Sequence, residues 1–180
     1  MLDCAQIQLL FFRRDQNGRR KAQRVLRRLF NRGTLKRGRR AGQPSYYCVD
    51  DYKQFEHRLG VNWAYCYLAA RLHSWEEMAW EYEAEFTTIR ADALATITNK
   101  VKGNVKYVFV EYDRGTEGDC AVVEKYADME VWADAASSLL VVVEDGKRAA
   151  ELTKAAVCVP GPVVVVTISE IRGEMSGQMV

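Results

Sequence analysis

Between residues 18 and 32 the apolar positions Ala22, Val25, Leu26, Leu29 and Phe30 recur at the i, i+3, i+4, i+7, i+8 spacing of one buried helical face. Gly33 follows where a helix stop belongs. A shorter apolar helix, about residues 3–12, precedes it across the turn Asp15-Gln16-Asn17-Gly18. Leu35-Lys36-Arg37 and Ser45-Tyr46-Tyr47-Cys48-Val49 read as two strands joined by residues 38–42. Further on, Asn62 is placed to cap a helix running to His73, with Ala64, Tyr65, Leu68, Ala69 and Leu72 as its apolar stripe. The period then changes to two. Met78, Trp80, Tyr82, Ala84 and Phe86 share one face, and Glu77, Glu81, Glu83 and Glu85 the other, which predicts a half-buried strand. Strands over 92–98 and 105–113 follow around a turn at 99–104, then a helix over 119–135, a strand over 139–143, a helix over 147–156 and a strand over 163–168. Residues 173–180 read as a flexible tail. The aromatics Trp63, Tyr65, Tyr67, Trp75, Trp80, Tyr82 and Phe86 obey these periods and read as core.

Charge divides the chain. Residues 1–60 hold fifteen Lys or Arg against five Asp or Glu, while residues 61–180 hold eleven against nineteen. The basic excess is densest over residues 13–40, where thirteen cations face one acid, Asp15. On the helix of residues 18–32 the polar face presents Arg19, Arg20, Gln23, Arg24 and Arg27, side chains that reach phosphates and base edges in a major groove. A solvated face is the commoner reason for such a run, but solvated helices interleave acids and this one does not. Two helices followed by a basic hairpin predict a winged helix-turn-helix over residues 1–58, with Arg37, Arg39 and Arg40 on the wing and double-stranded DNA as partner.

Several classes drop out. Five cysteines, an odd total with no Cys-x-x-Cys pair, suit neither a zinc ribbon nor a disulfide framework. Two histidines do not make a histidine-rich metal site. The longest apolar runs are strand-length, so neither a signal peptide nor a membrane span is expected, and the reading is cytoplasmic.

The segments Arg90-Ala91-Asp92, Glu111-Tyr112-Asp113-Arg114 and Glu124-Lys125-Tyr126 set acids at the ends of two adjacent apolar strands. With the order α-β-β-β-α-β-α-β over residues 59–172, this arrangement resembles the PD-(D/E)xK, or restriction-endonuclease-like, superfamily. The fold class expected is therefore α+β: the winged helix-turn-helix, then a nuclease-like domain with a central mixed sheet. The resemblance implies that Asp92 and Glu111 ligate Mg²⁺ or Mn²⁺ while a nearby lysine stabilises charge or orients the attacking water in phosphodiester hydrolysis. Ala91 stands where the pattern has proline, and Asp113 where it has lysine. Lys125 is the substitute, because it shares a helical stripe with Val122, Tyr126 and Met129 and so faces the sheet. Its alternative is a surface pair with Asp128. Asp113 reads either as a further metal ligand or as a strand-end group engaged with Arg114 or in an Asx turn into Gly115. Of the acids on the preceding strand, Glu83 or Glu85 is the candidate for an additional ligand, the rest being a solvated face.

The helix-and-stop segment 22–35, Asp92-Ala93-Leu94, the run Glu111-Tyr112-Asp113-Arg114-Gly115-Thr116-Glu117 and Lys125-Tyr126 together resemble the replication-relaxation family of plasmids and other mobile elements. The resemblance implies a DNA-binding protein acting in replication or in DNA relaxation and transfer, beside the replication or transfer proteins of the same element. A non-enzymatic regulator, its nuclease-like domain serving dimerisation or partner docking, is the second reading. An RNA-directed effector has less support, because the aromatics read as buried. On the first helix Leu2, Leu9 and Phe12 lie off the Cys4, Ile7, Phe11 stripe, which predicts that a second copy or the C-terminal half covers them. A two-fold homodimer suits paired DNA half-sites.

Overall fold

The computed structural model describes residues 1–39, 44–49, 54–86, 89–115, 121–127 and 136–176. A short strand β1 (Leu2–Asp3) opens the chain and leads into α1 (Cys4–Phe12) and α2 (Gly18–Asn31). The start of α1 is fixed by a reciprocal cap: Asp3 accepts the Gln6 amide N–H at 2.8 Å, and the Gln6 side chain accepts that of Asp3 at 3.0 Å. Strands β2 (Lys36–Gly38) and β3 (Tyr46–Cys48) follow, and β3 lies between β1 and β2 in an antiparallel sheet.

The next helix, α3 (Phe55–Ala69), corrects the expected start at Asn62. Asn62 lies in mid-helix, 1% exposed, where its side-chain oxygen accepts the Tyr82 hydroxyl at 2.6 Å and its amide donates to the Met1 carbonyl. The helix begins about two turns earlier than its expected cap, because Gly60 and Val61 pack against the sheet. The expected boundary between residues 58 and 59 consequently falls within α3.

Five strands build the central sheet: β4 (Glu76–Tyr82), β7 (Ala93–Asn99), β8 (Val105–Asp113), β9 (Ser137–Val143) and β10 (Val163–Thr167). Their order is β10-β9-β8-β7-β4, with β4, β7 and β8 antiparallel and β8, β9 and β10 parallel. The alternating strand expected over 78–86 stops at Tyr82. A separate pair, β5 (Glu85–Phe86) with β6 (Ile89–Arg90), continues beyond it, because Glu83 takes a left-handed backbone with φ 54°. Of the expected helix 119–135, the described part is a single turn, α4 (Ala121–Glu124), and residues 128–135, including Asp128 and Met129, lie outside the described residues. Asp145 caps α5 (Gly146–Ala155). Residues expected as a tail instead extend α6 (Ile168–Ser176), anchored by Ile171, which is buried in the core; residues 177–180 lie outside the described set.

The sheet separates two apolar clusters. Val108, Val110 and Tyr112 face α3 and α6, while Phe109, Leu139 and Val141 face α4 and α5. Leu9 of α1 is buried in the first cluster with Val61 and Trp63 of α3. The C-terminal half of the same chain thus covers one of the three residues expected to need burial. Phe11, read as part of the packed stripe, is 68% exposed, and Trp75, Tyr82 and Phe86, read as core, are also exposed.

Candidate functional site

Antiparallel pairing sets Ala93 opposite Val110, so Asp92, one residue before β7, arrives beside the end of β8. One Asp92 oxygen accepts the Tyr112 backbone N–H at 2.8 Å, and the other lies 2.9 Å from Nε2 of His57 on α3. Alternation along β8 puts Glu111 and Asp113 on the α4 side of the sheet. Glu111 is 4% exposed. Its Oε1 lies 2.9 Å from Lys125 Nζ and accepts the Tyr126 hydroxyl. Lys125 also donates to the Arg90 carbonyl at 3.3 Å. Asp92, Glu111, Lys125 and His57 share the wall of one cleft of about 390 Å³ at this end of the sheet.

Electrostatics follow from the burial. Desolvation first, then the charge of Asp92, push the Glu111 carboxyl up to about 7, against the pull of Lys125 and the Tyr126 hydrogen bond. The Asp92 hydrogen bond is the largest influence on His57 and raises its pKa. Burial, then Glu111, raises the Tyr126 phenol, which stays a donor. The shift favours the protonated Glu111 carboxyl unless a cation offsets the neighbouring charge of Asp92.

The sequence-predicted residues separate here. Asp92, Glu111 and Lys125 converge, and Lys125 faces the sheet. Asp113 lines the same cleft but is committed elsewhere: one oxygen accepts the Gly115 N–H at 2.6 Å, the Asx turn considered for it, and the other accepts Arg148 Nε of α5 at 2.6 Å. Arg114, its alternative partner, instead pairs with Glu56 at 2.9 Å. Among the described residues no group of three or more His, Cys, Asp or Glu stands ready to hold a metal ion. Asp92 and Glu111 are the acids that could hold a hard divalent cation, since Mg²⁺ commonly takes one or two carboxylates and completes its shell with water and phosphate. Glu83 reaches the cleft and Glu85 does not line it. His57 escaped the sequence reading because its helix was started too late, and Arg148 because nothing in the pattern joins positions 35 residues apart.

On the basic half, Arg19, Arg20, Gln23, Arg24 and Arg27 are all exposed on α2, as are Arg37 and Arg39 at β2; Arg40 lies outside the described residues. Lys21 is held by Asp15, whereas Arg20, Arg24 and Arg27 make no ion pair among the described residues. Arg37 lies over the Phe30 ring, 5.3 Å from its centre.

The fold and cleft define a mixed α+β protein with an acidic pair and a lysine at one end of a five-stranded sheet. The replication-relaxation family matches residues 45–136, and the chain belongs to that family. The match includes α3, β4 to β8 and Lys125, whereas the basic helix α2, part of the expected resemblance, lies outside it. Neither the curated proteins nor the solved structures hold a match to the chain. Membership points to a role in the replication or relaxation of plasmids or other mobile elements. Among the described residues no helix is long and apolar enough to cross a membrane.

Proposed function

We propose that the protein docks on duplex DNA through its basic half and hydrolyses a phosphodiester in the cleft with a divalent metal. The observation that carries this reading is the meeting of Asp92 and Glu111 across β7 and β8, with the Lys125 ammonium 2.9 Å from Glu111. Asp92 and Glu111 would hold Mg²⁺ or Mn²⁺, and Asp113 steadies the strand end beside them from its pair with Arg148. When bound there, such an ion would supply Lewis-acid stabilisation of the charge that develops on phosphate. Lys125 adds a donor on the same side and orients the attacking water, whose oxygen bonds to phosphorus as the bond to the departing oxygen breaks. His57 fixes the Asp92 carboxylate. The mixed sheet order, with acids on neighbouring antiparallel strands, supports a PD-(D/E)xK nuclease-like domain.

Incubation with supercoiled and linear DNA in Mg²⁺ or Mn²⁺ tests the reading. The parent should cut, and Asp92→Ala and Glu111→Ala should each lose the activity; cutting that survives both substitutions removes these residues from the site. Inactivity of every form favours the second reading, a non-enzymatic DNA-binding regulator whose cleft serves docking or dimerisation. The commitment of Asp113 to Arg148 supports that alternative.

DNA docking has its own support. The chain order β1-α1-α2-β2-β3, with its strands arranged β1-β3-β2, suits a winged helix, and its exposed arginines stand without acidic partners among the described residues. A homodimer on paired half-sites, working beside replication or transfer proteins of the same element, belongs to this proposal. Arg24→Ala/Arg27→Ala should flatten the slope of log affinity against log salt by about two units, near one for each phosphate no longer neutralised. Binding equal to the parent at every salt concentration would move the docking surface off α2.

A further inference from the structure

The β4–β7 ladder runs without interruption from Glu76 opposite Asn99 to Tyr82 opposite Ala93. At its end Glu83, the only non-glycine residue with positive φ among the described residues, donates its N–H to the Asp92 carbonyl at 2.8 Å, and Ala91 donates to the Ala84 carbonyl at 2.9 Å. Pairing is thus carried across an irregularity into β5 and β6. Such bulges bend a strand and re-aim a side chain. Here Glu83, still about half exposed, lines the cleft, which Glu81 and Glu85 do not.

Inside the cleft two guanidinium groups grip its carboxylate. Arg90 lies 2.5 Å from one oxygen and Arg58 3.6 Å from the other. Arg58 is steadied by stacking 3.8 Å over the Tyr82 ring. The Arg90 carbonyl receives Lys125, so the grip adjoins the ammonium that meets Glu111. Two converging guanidinium forks match a phosphate as well as they match a carboxylate. Glu83 is itself half exposed, and exposed ion pairs hold weakly.

We propose that Arg58 and Arg90 form a bracket for a backbone phosphate of nucleic acid, which Glu83 fills in the free protein and vacates when the strand enters. The choice of phosphate over another anion rests on reading the cleft as a phosphodiester site. The bracket adds the groups that seat the strand and the internal anion that guards the empty seat.

Anisotropy of a labelled DNA duplex, titrated in EDTA so that nothing is cut, isolates the bracket from the chemistry. Glu83→Gln should tighten binding about fivefold beyond the charge-matched control Glu85→Gln, because it removes the competing anion from the forks. Arg90→Gln in the Glu83→Gln background should erase that difference. Equal tightening by Glu83→Gln and Glu85→Gln would reduce the effect to net charge and overturn the bracket. Selective observation of the arginine Nε–H resonances separates the sources of phosphate: the duplex should move those of Arg58 and Arg90. Movement by inorganic phosphate or a polyglutamate peptide, with none by the duplex, overturns the assignment to nucleic acid. A bracket that responds to the duplex in a protein that never cleaves would sink the catalytic reading and leave this one standing.

Discussion

Gly60→Ala should lower the stability of the protein by about 2 kcal/mol or more, although alanine is the better helix former by about 1 kcal/mol. A Cβ at position 60 would lie 2.1–2.3 Å from three carbons of the Tyr112 ring. That ring cannot readily retreat. Tyr112 is 5% exposed on β8, packs in the cluster with Val61 and Trp63, and is held at its hydroxyl by Glu144 at 2.6 Å. Relief must come from moving α3 off the sheet, and His57 and Arg58 go with it. At this chain length the loss corresponds to a fall in Tm of about 2–4 °C per kcal/mol. Tyr112→Leu should cost less in the Gly60→Ala background than alone, because loss of the ring relieves the clash that the new methyl creates. A Tm raised by Gly60→Ala, as helix propensity alone dictates, would show that α3 does not depend on this close approach.

The second large effect concerns pH. Glu111 and His57 both have folded pKa values above their ordinary ones, so the native state holds protons that the unfolded chain has released. Their stabilisation is full below the unfolded values and is lost as pH rises through the folded ones. For Glu111 the window runs from 4.5 to about 7, a shift worth roughly 3 kcal/mol. His57 extends the loss from 6.5 upward. Measured in EDTA, Tm should therefore fall between about pH 5 and pH 8. Glu111→Gln should flatten the lower part of that fall and be more stable than the parent at pH 8, since a neutral amide keeps the hydrogen-bonding shape without the buried charge. A parent whose Tm rises across the same interval would show that Glu111 is ionised without cost. Stability gained by deleting a charged cleft residue is the usual mark of a site shaped for something other than folding.

The sequence pattern foretold β8 at the limits it adopts, Val105–Asp113, because an apolar run bounded by a glycine turn and a charged end leaves little choice. The meeting of Asp92 with Glu111 was legible for the same reason: both acids stand where adjacent apolar strands end. The helical period offered Lys125 only as one of two readings, and its contact with Glu111 matches the sheet-facing one. The start of α3 was not, because residues 55–60 mix charges with a glycine and acquire their helix from packing against Tyr112. The break at Glu83 was hidden by an alternation that continues past it. Asp113 was read toward its neighbours in sequence, whereas its strongest partner, Arg148, is brought to it by a parallel crossover.

Leu9 gives the molecule a property that neither half has alone. It carries α1, against which the basic helix packs, into the cluster that also holds Val61, Val110 and Tyr112. The arginine surface and the acidic cleft are therefore geared through one interior rather than joined by a tether. Exchange of the basic half for another module would have to rebuild the α1 contact with α3, so, if that half reads DNA as proposed, the protein is poorly suited to changing its target by exchange of parts. New specificity has an easier route through substitutions on the exposed face of α2, where no packing constrains the choice of side chain.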